Sequence, residues 1–303
     1  MKTRKIKIKF WVDAAVYATL VLMSYQFLYP ALRMLTTALM APEDIINPAV
    51  NWIPRSWTFG NIRVAAAVLD LKKTLFNSLW YSGLLAAAQT LVSAMTGFAF
   101  ARYEFKFKRF WFVMVIVSFI LPAPVMLISR TMLFVSIQES TGVSMIGTPI
   151  PQVSMALLGQ GVYSAVLILI FYNFIRMIPR ALDEAATIDG ASARQIFYHI
   201  ILKMSLTTIL IVFLFSFVWN WNETFVTGAF LRDKIPLLPS RLNMFDSIFA
   251  SYGGQARGST QSRLNEAYKM SATFLSILPL FLIYLLVQRQ FIKGIESAGI
   301  TGE

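Results

Sequence analysis

Pro179-Arg-Ala-Leu-Asp-Glu-Ala-Ala-Thr-Ile-Asp-Gly-Ala-Ser192 is a polar, helix-forming stretch set between two long apolar segments. Pro179 suits a first helical turn, where a missing N–H costs little. Asp183 and Glu184 follow where the helix dipole favours negative charge, and Ala185 and Ala186 are strong helix formers. Gly190 can take the left-handed conformation that ends a helix. Ser192 can cap a second helix running through Gln195, Phe197 and Ile200. The pattern predicts a short helix, a glycine turn and a second helix. In a membrane protein such a segment is either an ordinary interfacial helix or a docking surface for a soluble partner.

Composition makes the membrane setting plain. The chain of 303 residues is 57% hydrophobic and 14% charged, against about 25% charged in soluble domains. With no cysteine, neither a disulfide framework nor a thiolate metal site is possible. The single histidine, His199, rules out a multi-histidine metal cluster and is not expected to be a ligand. The net charge of +12 would suit nucleic acid, but the basic residues flank apolar spans, which is membrane topology. No nucleic-acid partner is expected.

Six apolar segments, 11–35, 75–101, 110–137, 154–178, 201–227 and 268–287, reach the roughly 20 residues that a bilayer crossing needs. The expected fold is all-α and integral to the membrane, a single transmembrane domain over 1–303. It comprises a basic tail (1–10), a first helix (11–35) and a core of five helices (75–291) that includes the 179–195 loop. Lys2, Arg4, Lys5, Lys7 and Lys9 precede the first span. That span exceeds the roughly 7–15 residues of a signal-peptide core, so an uncleaved helix is expected. Arg102, Lys106, Lys108 and Arg109, then Arg176, Arg180, Arg194 and Lys203, then Arg289 and Lys293 cluster on the same side as the tail. Both termini are therefore expected in the cytoplasm. The opposite loops are 40–74, whose Trp52 and Trp57 suit the interface, and 229–267, polar over 252–262.

At Glu184-Ala185-Ala186-Thr-Ile-Asp189-Gly190 a family resemblance becomes plain. The run resembles the EAA loop of bacterial ABC importer permeases, in the MalG-like branch of the carbohydrate permeases. Lys203 stands where that branch usually has proline. Asn77-Ser78, Ala99-Phe100-Ala101-Arg102-Tyr103, Trp221-Asn222-Glu223 and Gln288-Arg289-Gln-Phe291-Ile-Lys293-Gly294 resemble further family elements. In the third of these, Thr224 interrupts the family's usual order before Phe225. The resemblance covers about residues 10 to 302. It implies the type I importer permease fold, with a cytoplasmic coupling helix between the fourth and fifth spans. Glu184, Ala185, Ala186, Ile188, Asp189 and Gly190 would engage a cleft in an ATP-binding subunit. Implied partners are a second permease subunit, two ATP-binding subunits and an extracytoplasmic solute-binding protein that delivers a saccharide. ATP and Mg would sit on the partner; this chain has no G-x-x-x-x-G-K-[ST] loop. No enzymatic activity and no cofactor of its own are expected. The alternatives are a permease for a polyol or glycerol phosphate, an embedded enzyme, or a channel.

Inside the spans, Glu223 is the clearest ionisable residue, and intramembrane charges usually face an interior or a cavity. Trp219, Asn220, Trp221 and Asn222 beside it supply rings and amides suited to sugar faces and hydroxyls. The competing reading is a structural carboxylate near the outer rim. Pro122 and Pro124 predict a break in the third span, either a static kink or a gate; Pro279 carries the same two readings in the sixth. Arg102 is expected to anchor its span at the surface, with contact to the 179–195 loop as a second reading. Arg232, Lys234, Arg241, Arg257, Arg263 and Lys269 lie on the outer side. They would suit an anionic saccharide, although exposed basic residues are ordinarily just solvated.

Overall fold

The computed structural model describes residues 2–232, 234–252 and 259–300, with side chains over 11–122, 124–232, 234–252 and 264–289. The side chains of the basic tail, much of the polar run 252–262, and Phe291 to Gly294 of the last signature lie outside the described residues. In chain order the helices are α1 Lys2–Leu39, α2 Pro42–Ile46, α3 Gly60–Leu69, α4 Leu71–Arg102, α5 Lys108–Ile120, α6 Ala123–Thr141, α7 Ile150–Leu157 and α8 Ser164–Met177. They continue as α9 Arg180–Ile188, α10 Ala193–Ile196, α11 Leu202–Met204, α12 Leu206–Asn222, α13 Phe225–Leu231, α14 Leu238–Asn243, α15 Phe245–Ser251 and α16 Ser259–Ile300. Among the described residues, three helices are long and apolar enough to cross a membrane, or up to six if each bent pair is one span.

One unit consists of Met1–Asp70 with Met244–Pro279. Its 40–70 segment is more ordered than an interfacial loop. The Asp44 carboxylate accepts from the backbone N–H of Arg55 and Ser56, each at 2.8 Å. Asn61 Nδ2 donates to the Met40 carbonyl at 2.8 Å. Trp52 packs edge-on against Tyr29, so its ring is used locally. Later in the same unit, Lys269 pairs with Asp246.

The other unit, Leu71–Asn243 with Leu280–Glu303, is organised around α4. Ser78, Ser82, Ala86, Ser93, Ala94 and Gly97 lie along its buried surface. Lipid tails are as apolar as leucine, so membrane helices associate by close packing over small residues. Gly97 shows how close: a Cβ there would lie 2.7 Å from Phe171 Cβ and 2.9 Å from the Tyr172 backbone nitrogen of α8. Ala94, Phe98 and Ala101 of α4, Leu167, Phe171 and Ile175 of α8, Phe197, Ile201 and Val212 form one core.

Three of the expected spans are not continuous. The third breaks at Leu121 and Pro122, and its two halves meet at 107°. This is where the two prolines withdraw backbone donors. The fourth, expected as 154–178, divides into α7 and α8. Gly159 (φ +71°) and Tyr163 (φ +52°) between them hold left-handed backbone that no helix accommodates. The fifth, expected as 201–227, bends by 80° at Ser205 after a π-turn at Phe197–Ile201, and breaks again at Glu223. The reason for the last break is the Glu223 side chain itself.

Candidate functional site

Glu223 ends α12 and its carboxylate caps the start of α13. Oε1 accepts from the backbone N–H of Phe225 (2.9 Å) and Val226 (2.8 Å). Oε2 accepts from the N–H and the hydroxyl of Thr227, at 2.8 and 2.9 Å. A carboxylate at a helix start satisfies amides that otherwise lack partners and meets the positive end of the dipole. The bonds continue outward. Gln152 Nε2 donates to Thr227 Oγ1 at 3.1 Å, and Tyr81 OH donates to Gln152 Oε1 at 2.5 Å. Every donor in this chain points toward Glu223.

A second buried network centres on Gln89 of α4. Its Nε2 donates to the Val162 carbonyl (2.9 Å) and to Ser164 Oγ (2.8 Å). Its Oε1 accepts from Ser216 Oγ and Asn220 Nδ2, both at 2.6 Å. One amide thus ties α4 to α8 and α12 at full capacity. Gln89→Leu would remove four hydrogen bonds. Asn220 Nδ2 keeps the Ser216 carbonyl at 2.8 Å, and each group left without a partner costs about 1–3 kcal/mol where water cannot replace the bond. The expected result is a clearly lower melting temperature in detergent; an unchanged one would show that the network carries no stability.

These networks border a cavity of about 760 Å³. Trp219, Asn220, Asn222 and Glu223 line it, with Ser118 to Pro122 from the broken third span, Arg130, Gln160 and Tyr163. Tyr163 packs edge-on against Trp219 at 5.0 Å. A non-glycine residue in the left-handed region costs on the order of 1–3 kcal/mol and marks a place the surrounding structure enforces. Trp221 is different: it is 2% exposed and packs against Phe217, so among the expected path residues it does not reach the cavity. Pro122 does; Pro124 is exposed elsewhere on α6. Gln89 and Arg130 escaped the sequence reading. The available signal was a polar or charged residue inside an apolar span, the signal that singled out Glu223.

The second site is the 179–195 loop. Pro179 precedes α9 as its N-cap. Gly190, at φ +83°, donates to the Thr187 carbonyl (3.0 Å), and Ala191 N–H donates to the Ala186 carbonyl (2.9 Å). This pair of bonds is the Schellman ending that glycine favours. Ser192 and Gln195 then form a reciprocal capping box. Arg102, at the end of α4, clamps the loop from within. Its Nε lies 2.7 Å from Asp183 Oδ2 and its Nη2 donates to the Ile178 carbonyl at 2.8 Å. Burial pushes the Asp183 carboxyl above the ordinary range, against the opposing pull of Arg102 and Arg180. Contact with the loop is therefore the reading of Arg102 that holds. The opposite face is open. Ile188 is 86% exposed, Glu184, Ala185 and Asp189 are exposed, and Ala186 is half-buried. Phe98, Tyr103, Arg180, Glu184 and Ile188 border a groove of about 440 Å³. His199 is exposed, its Nδ1 3.1 Å from the Gln195 carbonyl. Among the described residues no group of three His, Asp or Glu side chains could hold a metal.

The profile described as "Binding-protein-dependent transport system inner membrane component" matches residues 89–297. The diacetylchitobiose uptake system permease protein DasC of Streptomyces coelicolor is 25% identical, over 94% of this chain and 95% of that one. The arabinooligosaccharides transport system permease protein AraQ of Halalkalibacterium halodurans is 23% identical, over 90% and 91%. The sn-glycerol-3-phosphate transport system permease protein UgpE of Brucella abortus is 26% identical, over 88% and 90%. A chain in the crystal structure of a bacterial ABC transporter involved in the import of the acidic polysaccharide alginate superposes with a TM-score of 0.71. It has 18% identity over 92% of this chain and 96% of that chain, and so shares the fold.

Proposed function

From the premise that this chain belongs to the binding-protein-dependent transport system inner membrane components, we propose that it is the permease that carries a sugar or oligosaccharide across the cell membrane. It forms one multi-pass permease domain with both termini in the cytoplasm. It pairs with a second permease subunit and draws energy from two ATP-binding subunits that hold ATP and Mg. An extracytoplasmic binding protein supplies its saccharide.

The observation that carries this reading is α9, an exposed helix held from behind by Arg102 and ended by Gly190. Ile188 at 86% exposure is an apolar side chain with nothing over it, on a helix already fixed in place. Rigid presentation of an apolar and acidic face is what a partner cleft requires, because little ordering entropy is then lost on docking. Glu184, Ala185, Ile188 and Asp189 form that face, while Ala186 packs inward against the core. The cavity supports the substrate half of the reading: aromatic rings of Trp219 and Tyr163 stand beside the amides of Asn220 and Asn222, while the Glu223 carboxylate on the same wall is taken up by the start of α13. Sugars present apolar C–H faces and hydroxyls to such a lining. The break at Pro122 borders the same space and serves as its gate. A relative named for sn-glycerol-3-phosphate transport favours a second reading, a polyol phosphate as cargo.

The test is reconstitution of the four-component complex in liposomes with a panel of loaded binding proteins. Stimulation of ATP hydrolysis and uptake by a saccharide supports the first reading. Stimulation by glycerol phosphate alone moves the cargo to the second. No association with an ATP-binding subunit overturns both.

A further inference from the structure

Arg130 lies in the interior of α6, well inside the segment read as the third span, and its side chain reaches the cavity. It begins about 10 Å of helical rise beyond the break at Pro122, so it is not a cation at a helix end. Among the described residues no carboxylate lies within ion-pairing distance of it. Its one hydrogen bond is to a neutral amide, Gln160 Oε1, at 3.2 Å. A guanidinium has five donors in a planar fork that matches an oxyanion.

Glu223 also lines the cavity but is not the missing counter-ion. Both of its oxygens are already occupied by three backbone N–H groups and the Thr227 hydroxyl. The cavity thus holds an acid satisfied by the protein and a base that is not. A cation in a span that has no acidic partner is costly unless a ligand or water meets it. Beside it stand Gln160, which orients it, and the paired rings of Tyr163 and Trp219.

We propose that Arg130 is a ligand-binding residue for an oxyanion, the carboxylate or phosphate of a transported molecule whose ring or carbon skeleton lies on Trp219 and Tyr163. This rests on the permease reading above and narrows its cargo to acidic solutes. The outer-loop cations are not needed for it; Lys269, for one, is paired with Asp246.

The test uses the full complex in proteoliposomes and compares uptake of matched pairs: a uronate oligosaccharide against its carboxyl-reduced neutral form, and glycerol phosphate against glycerol. Native protein should favour the acidic member of one pair, and which pair responds separates carboxylate from phosphate. Arg130→Gln should lower uptake of that acidic member at least about tenfold, the scale of a lost charge-assisted hydrogen bond. The ratio of acidic to neutral uptake should collapse with it, and Arg130→Lys should restore part of the preference. An equal fall for acidic and neutral members would mark Arg130 as structural and overturn the assignment, as would no change. Uptake of neutral saccharides alone by native protein overturns the Arg130 assignment and leaves the proposed function standing. No uptake of any of these solutes overturns the Arg130 assignment too, whereas the proposed function falls only if no ATP-binding subunit associates.

Discussion

Gly190→Pro is expected to abolish ATP-driven uptake while the protein still inserts and purifies with its second permease subunit. The native φ of +83° lies opposite in sign to the value near −65° that a proline ring imposes. The substitution also removes the N–H that closes α9 onto Thr187. Both changes act at the one residue that sets the direction of α9 relative to the capping box of Ser192 and Gln195. Backbone forced from such a position costs on the order of 1–3 kcal/mol, and a factor of ten in coupling corresponds to about 1.4 kcal/mol. Gly190→Ala gives the graded control. Its Cβ would meet nothing within 4 Å, so only the left-handed backbone is penalised and a partial loss is expected. Glu184→Lys reverses an exposed charge without disturbing the turn and should also uncouple. Normal uptake by Gly190→Pro together with Glu184→Lys would remove α9 from the coupling path.

The second large effect is on assembly. Gly97→Val should reduce the yield of folded protein and clearly lower its melting temperature. The atoms that a Cβ would strike belong to α8 at Phe171 and Tyr172, and two of the three are backbone. They can yield only if the helices separate, which opens the core built on Phe171 and Leu167. Overpacking of this kind typically costs about 1–3 kcal/mol. Valine adds two methyl groups beyond the first clash and should lie at or above the upper end of that range. Gly83→Ala on the same helix meets nothing within 4 Å and should be tolerated. Equal melting temperatures for the two variants would mean that α4 and α8 do not approach as closely as described.

The parts legible in the sequence are those fixed by local chemistry. The helix, glycine turn and capped second helix of 179–195 follow from Pro179, Gly190 and Ser192, and the break in the third span follows from Pro122. What escaped was interruption without proline. Ser205 and Glu223 end helical runs inside strongly apolar sequence, where hydropathy sees one continuous span. Glu223 can do so because its own carboxylate replaces the helical bonds that the break gives up, an arrangement visible only once Thr227 is folded back onto it. Gln89 was equally silent. A lone glutamine in a 32-residue helix becomes a hub only when Val162 before α8, Ser164 of α8, and Ser216 and Asn220 of α12 converge on it. Arg130 could have been flagged by charge alone, as Glu223 was; its lack of an acidic partner needed coordinates.

The two amide networks also divide the molecule mechanically. Gln89 locks α4, α8 and α12 into one piece, and the relay from Tyr81 through Gln152 and Thr227 to Glu223 adds α7 and α13 to it. Within that piece, relative movement breaks several buried hydrogen bonds at once. Leu121 and Pro122 in the third span, and Ser205 at the foot of α12, lie outside both networks. We propose that the frame yields at the first of these points: movement of one cavity wall, the α5–α6 elbow, opens mainly apolar contacts, those of Phe134 with Val226 and Phe230 among them. A label on Ile120 should therefore report large motion during turnover, whereas one on Asn222 should report almost none.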